Sequence, residues 1–126
     1  MKNDRTVHGI LLLNKALNIT SNKALQQVKR LYRAKKAGHT GSLDPLATGV
    51  LPICFGEAAK FSQYLLDADK VYTVWGRLGC TTITGDAEAE AEMVPNAPVV
   101  LQNQFEQALM AFHGPIEQIP DRKSVV

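Results

Sequence analysis

At 126 residues the chain is one domain's worth of protein, long enough for a modest core and too short for two ordinary domains. A hydrophobic content of 45% with 21% charged residues is that of a soluble globular protein. The early apolar run Ile10-Leu11-Leu12-Leu13 is far short of a signal peptide or a membrane span, so a cytoplasmic chain with no membrane partner is expected.

The net charge of +2 conceals an asymmetry. Residues 1–40 hold nine Lys and Arg against the single acid Asp4, whereas residues 41–126 hold five basic and eleven acidic residues. A basic N-terminal third is the electrostatic footprint of a phosphate-backbone binder, although a charge run taken alone is more often a solvated helix face. Cys54 and Cys80 form no C-x-x-C pair and have no His at ligand spacing. They read as reduced, buried thiols, and no metal is expected.

In chain order, Gly9 to Asn14 suits a short buried strand. Asn18-Ile19-Thr20-Ser21-Asn22 is turn chemistry, with Thr20 or Ser21 suited to the N-cap of a helix. Ala24, Leu25, Val28, Leu31 and Tyr32 then recur at helical spacing, leaving Lys23, Arg30 and Arg33 largely on the outer face. The helical signal ends at Gly38, and a loop containing Asp44 follows. Gly49 to Phe55 reads as a strand in which Pro52 argues for an edge or a bulge.

Glu57 to Leu66 is the next expected helix, with Glu57 favourably placed in its first turn. Lys70 to Leu78 alternates β-branched and aromatic residues and reads as a strand. Cys80 to Pro98 is Thr-rich, then acidic, and suits exposed loop or weak strand. Leu101, Phe105, Ala108, Leu109 and Phe112 predict an amphipathic helix over Val99 to Phe112, broken by Gly114-Pro115.

The stretch Gly38-His39-Thr40-Gly41-Ser42-Leu43-Asp44-Pro45-Leu46-Ala47-Thr48-Gly49 carries the most chemistry. Gly38 and Gly41 admit backbone conformations that a Cβ opposes, allowing a sharp turn or the close approach of a ligand. His39 can stack or hydrogen-bond, Thr40 and Ser42 offer hydroxyls, and Pro45 restricts the backbone after Asp44. On the dipeptide alone, Asp before Pro is most simply a turn initiator. Read on through Phe61, however, the run closely resembles the catalytic segment of the TruB family of tRNA pseudouridine synthases. Lys70-Val71-Tyr72 is similar to that family's Lys-x-Tyr motif, and Asn14-Lys15 lies where the family places Asp or Asn followed by Lys.

The resemblance implies an α/β (α+β) fold with a mixed, largely antiparallel sheet and flanking helices, the first half of a pseudouridine synthase catalytic domain. It implies isomerisation of a uridine in the T loop of tRNA (position 55 in tRNA numbering), without metal or cofactor, by a protein that is a monomer when intact. Asp44 takes the place of the catalytic carboxylate, as nucleophile at the sugar or as base on a ribose proton, two routes the sequence leaves open. Because folded tRNA hides the base, the uridine must be flipped into a pocket. Tyr72 is the candidate for packing on the uracil and removing the proton at C5, although a lone strand Tyr is more often core. His39, Thr40, Gly41, Lys15, Lys70, Arg30 and Arg33 are the expected RNA or substrate contacts. Local backbone hydrogen bonding competes as a role for His39, and a solvated surface position competes for Lys15.

The resemblance covers about residues 9–120. After Gln118-Ile119-Pro120 the family continues with a Tyr-Ser-Ala-x-Lys type segment, and residues 121–126 here are unlike it. The family's remaining strands, an Arg that pairs with the catalytic Asp and the C-terminal RNA-binding domain lie beyond that point. A truncated chain is therefore expected, one whose alternative reading is an inactive fragment that at most binds tRNA.

Overall fold

The computed structural model describes residues 4–120; the expectation of an unlike tail over 121–126 lies outside the described residues. The element order is β1 (Gly9–Lys15), α1 (Ser21–Tyr32), β2 (Ala37–His39), β3 (Gly49–Phe55), a 3₁₀ segment (Gly56–Phe61), α2 (Ser62–Leu66), β4 (Cys80–Thr81), β5 (Glu92–Met93), α3 (Gln102–Leu109) and a 3₁₀ turn (Met110–Phe112). The fold is α+β, with one three-stranded sheet in the order β1-β3-β2 and a two-stranded β4-β5 ribbon, every strand pair antiparallel. An isolated parallel bridge joins Arg5 to Ala34.

β1 runs one residue beyond its predicted end and is half-buried rather than buried. Its odd-numbered residues Leu11 and Leu13 face the core, and Ile10 and Leu12 are exposed on the opposite side together with Val50 of β3. This is the period-2 alternation of a sheet covered on one face.

β3 has the predicted bounds, but it is the central strand, correcting the edge position inferred from Pro52. The physical reason lies in which way the missing N–H would point. The carbonyl of Pro52 accepts the Thr40 N–H at 3.0 Å, so its nitrogen also faces β2, whose named ladder ends one rung earlier at His39 opposite Ile53. The lost donor therefore falls at the end of a short ladder.

α1 starts as its sequence dictates. Thr20 is the N-cap, its Oγ1 accepting the Lys23 N–H at 3.1 Å, and Arg33 closes the helix in a left-handed conformation with φ +52°. The helical signal thus stops five residues before Gly38, which lies within β2. Ala24, Leu25 and Val28 pack against Leu51, Ile53 and Phe55 of β3, with Ala34 completing the core. Leu31, predicted on the same stripe, is 79% exposed at the margin of the last turn, while the Tyr32 ring packs at a tilt against Phe55, with centroids 5.2 Å apart.

The second half departs further from expectation. The Glu57–Leu66 helix forms as a 3₁₀ segment running into one and a half α-turns. Lys70 to Leu78 is not a strand: it pairs with no strand among the described residues, so its alternation has no ladder to act through, and Trp75 is 95% exposed. α3 forms, with Gln104 Oε1 accepting the Leu101 N–H at 3.0 Å, but Leu101, Phe105 and Leu109 remain exposed. No helix among the described residues is long and apolar enough to cross a membrane.

Candidate active site

The Asp44 loop connects β2 to β3 and is held from both sides of the carboxylate. On the N-terminal side, the Leu43 N–H donates to Ser21 Oγ at 2.8 Å, and that hydroxyl donates back to the Leu43 carbonyl at 3.0 Å. On the C-terminal side, the Asn18 N–H donates to the Pro45 carbonyl at 2.7 Å. Lys15 Nζ donates to the carbonyls of Ala16 (2.7 Å) and Ile19 (2.8 Å), with Pro45 at 3.5 Å. The Ala47 N–H donates to the Asp44 carbonyl at 2.9 Å, closing a turn with Pro at its second position. Asp44 itself is exposed between these held neighbours.

The loop's entry is equally fixed. Thr40 is bonded through its N–H to Pro52, and its side chain is buried, with no protein partner for Oγ1. Its hydroxyl therefore lies inside the loop's base, away from a surface backbone contact. His39 is half-buried, and its Nδ1 lies 2.6 Å from the Gly41 carbonyl, which requires the proton on Nδ1 and leaves Nε2 as the free ring atom. Gly41 has φ +72°, a conformation that a side chain opposes. Gly38 is ordinary extended strand, so the conformational freedom expected of it is not used.

Lys15 corrects an expectation. It is 1% exposed, and its ammonium is committed to carbonyls, where a phosphate contact requires a free cation. The signal is present in the sequence, since Lys15 continues the core-facing parity of Leu11 and Leu13, but a Lys at that parity reads as surface until its partners are known. Lys70 donates to the carbonyls of Leu66 (2.6 Å) and Ala68 (3.0 Å), closing the end of α2. Tyr72 is 65% exposed in the irregular segment after it. Arg30 and Arg33 are both exposed, on the last turn and cap of α1. Ser21 is the site residue that sequence reasoning misses, because the sequence alone presents it only as an alternative cap.

The family described as TruB family pseudouridylate synthase (N terminal domain) matches residues 29–126. Three proteins named tRNA pseudouridine synthase B illustrate the similarity. That of Tolumonas auensis is 61% identical over 123 residues, covering 97% of this chain and 37% of the relative. That of Coxiella burnetii is 57% identical over 122 residues, covering 97% and 40%. That of Chromohalobacter salexigens is 56% identical over 120 residues, covering 95% and 39%. The chain thus spans about two fifths of the length of the curated relatives it matches.

Proposed function

The chain belongs to the TruB family of pseudouridylate synthases, and from that premise we propose that it supplies the catalytic carboxylate of a tRNA pseudouridine synthase. In this reading residues 1–126 are the first part of the catalytic domain, acting in the cytoplasm on the T arm of tRNA. A T-loop uridine is flipped out of its stack, the bond between uracil N1 and ribose C1′ breaks, the base turns, and C5 bonds to C1′. The proton leaving C5 is balanced by one gained at N1, so the product is an isomer of the substrate. Asp44 acts at the sugar, as nucleophile or as base. Tyr72 removes the C5 proton, a role that requires the 70–78 segment to lie against the Asp44 loop. Arg30 and Arg33 meet phosphates, and His39 stands beside the displaced nucleotide with Nε2 free.

The observation that carries this reading is the exposure of Asp44 between two neighbours whose backbones are held. A group that must meet a bound substrate needs access and a fixed position together. The test uses a full-length protein in which residues 1–120 continue into the C-terminal remainder of the Tolumonas auensis relative. Asp44→Asn there abolishes pseudouridine formation and leaves tRNA affinity within about threefold, since Asn keeps the shape and removes the ionised oxygen. Turnover by that variant would assign the chemistry to another group. A second reading, tRNA binding without chemistry by the 126-residue chain alone, is favoured by the exposure of Tyr72 and by the lack of a cation paired with Asp44 among the described residues.

A further inference from the structure

We propose that Ser21 is a positioning residue for the reaction, fixing the direction of the Asp44 carboxylate through the Leu43 peptide. The proposal rests on the reading of Asp44 as the catalytic carboxylate and adds the residue that aims it. Ser21 is the first residue of α1, and at about 100° per residue its side chain points into the middle of the face formed by Ala24, Leu25 and Val28. A hydroxyl at the centre of an apolar face carries a desolvation cost unless it is hydrogen-bonded. Ser21, 5% exposed, meets that demand with a single residue, both accepting from and donating to the Leu43 backbone.

The cap of the helix needs no help from Ser21, because Thr20 already accepts the Lys23 N–H. The hydroxyl is therefore free for a contact 22 residues away, and that contact falls on the N–H and the carbonyl of Leu43, the residue immediately before Asp44. Leu43 is half-buried against the core, so its side chain sets the depth of the loop. The paired hydrogen bonds to N–H and C=O fix the rotation of its backbone, which the apolar contact leaves free. That rotation determines where the next Cα–Cβ bond points. On the far side, the contacts to the Pro45 carbonyl come from Asn18 and Lys15, so the segment 15–21 grips the loop on both flanks of Asp44.

The test uses the same full-length fusion, with Ser21→Ala, Ser21→Thr and Asp44→Asn measured together. Ser21→Ala is expected to slow single-turnover pseudouridine formation by about 10–100-fold, because small displacements of a reacting group are costly, with tRNA affinity within about threefold. Ser21→Thr, which keeps the hydroxyl, is expected to stay within about threefold of the parent rate. The Leu43 amide of the parent is expected to exchange with solvent at least tenfold more slowly than that of exposed Ser42, a readout that stands even if Ser21→Ala fails to fold. Parent-like rates for Ser21→Ala beside an inactive Asp44→Asn overturn the role of Ser21 and leave Asp44 intact. So does a Thr variant as slow as the Ala variant, an equal loss of rate and affinity, or an unprotected Leu43 amide. An active Asp44→Asn overturns the underlying reading instead.

Discussion

The ammonium of Lys15 lies 2.8 Å from the carbonyl oxygen of Ile19, so a cation in the basic third of the chain is turned inward to tie the end of β1 to the turn before α1. Lys15→Met retains much of the stem and removes the donor from the Ala16 and Ile19 carbonyls. The expected loss is about 1–3 kcal/mol of stability, the cost of leaving such groups unpaired. The salt dependence of tRNA binding should not change, because this ammonium has no free surface to offer. A flatter salt slope in Lys15→Met, measured in the full-length fusion, would place the lysine at the RNA.

Arg30 and Arg33 give the opposite expectation, both being exposed. If each neutralises one phosphate, replacing both with Ala reduces the salt slope of tRNA binding by roughly 0.7–0.9 log units per log unit of salt for each arginine replaced. The helix should survive, since Ala is a good helix former and Arg33 acts at the cap through its backbone. An unchanged slope removes this end of α1 from the interface.

Much of the first half of this architecture is legible in the sequence because it depends on local chemistry. Thr20 caps where turn residues meet an apolar stripe, and Gly49–Phe55 forms a strand with the bounds its composition predicts. What is not legible is direction. Pro52 signals a missing donor, but only the neighbouring strands reveal that this donor would face the end of β2. Lys15 and Ser21 look like a surface cation and a spare cap until the loop folds over them. Lys70 to Leu78 has strand periodicity yet forms none, because a strand is a property of a pair and periodicity belongs to one partner alone. The candidate site divides in the same way. The carboxylate and its loop are readable as a motif, whereas the grip on Leu43 and Pro45 is long-range and has no local signature.

Gly56 joins β3 to the 3₁₀ segment at φ +54°, and a Cβ there would meet the Val7 carbonyl and the His8 ring, which accepts the Glu57 N–H at 2.9 Å. Gly56→Ala is expected to lower stability by about 1–2 kcal/mol from the left-handed conformation alone, with a further loss from the clash with the Val7 backbone. A denaturant midpoint unchanged from the parent would contradict both contributions, whereas a loss confined to about 1–2 kcal/mol would mean that the 7–8 segment moves aside freely.

Burial pushes the Cys54 thiol above its ordinary range, whereas Cys80 is half-buried. A maleimide at neutral pH should therefore label Cys80 first and Cys54 only on unfolding. The sign of the linkage follows from the raised value. The folded state favours the neutral thiol, so this contribution to stability is complete below the unfolded thiol's pKa. It is lost as pH rises from there through the higher folded value. Cys54→Ser lacks this titration, so its stability should decline less than the parent's across that alkaline window. Equal declines in the two proteins would contradict a buried neutral thiol.

The isolated 126-residue chain should be at best marginally folded and form no measurable pseudouridine. Its buried hydrophobic core lies within residues 24–55, while Val71, Ile83 and Ile119 are almost fully exposed. Whole domains are stable by only about 5–15 kcal/mol, and each large apolar side chain left in water forgoes roughly 1.5–3 kcal/mol. Such a chain should bind a hydrophobic dye or self-associate, and its melt should be broad. Trp75, the single tryptophan, gives a direct optical check. At 95% exposure it should emit at a solvent-like wavelength and be readily quenched by acrylamide. In the full-length fusion, where Tyr72 is proposed to reach the Asp44 loop, the same tryptophan should shift to the blue and resist the quencher. A monodisperse monomer with a sharp melt and a shielded Trp75 would show that residues 70–120 pack without further chain. Pseudouridine formed by that monomer would show that the first 126 residues hold all the groups the chemistry needs.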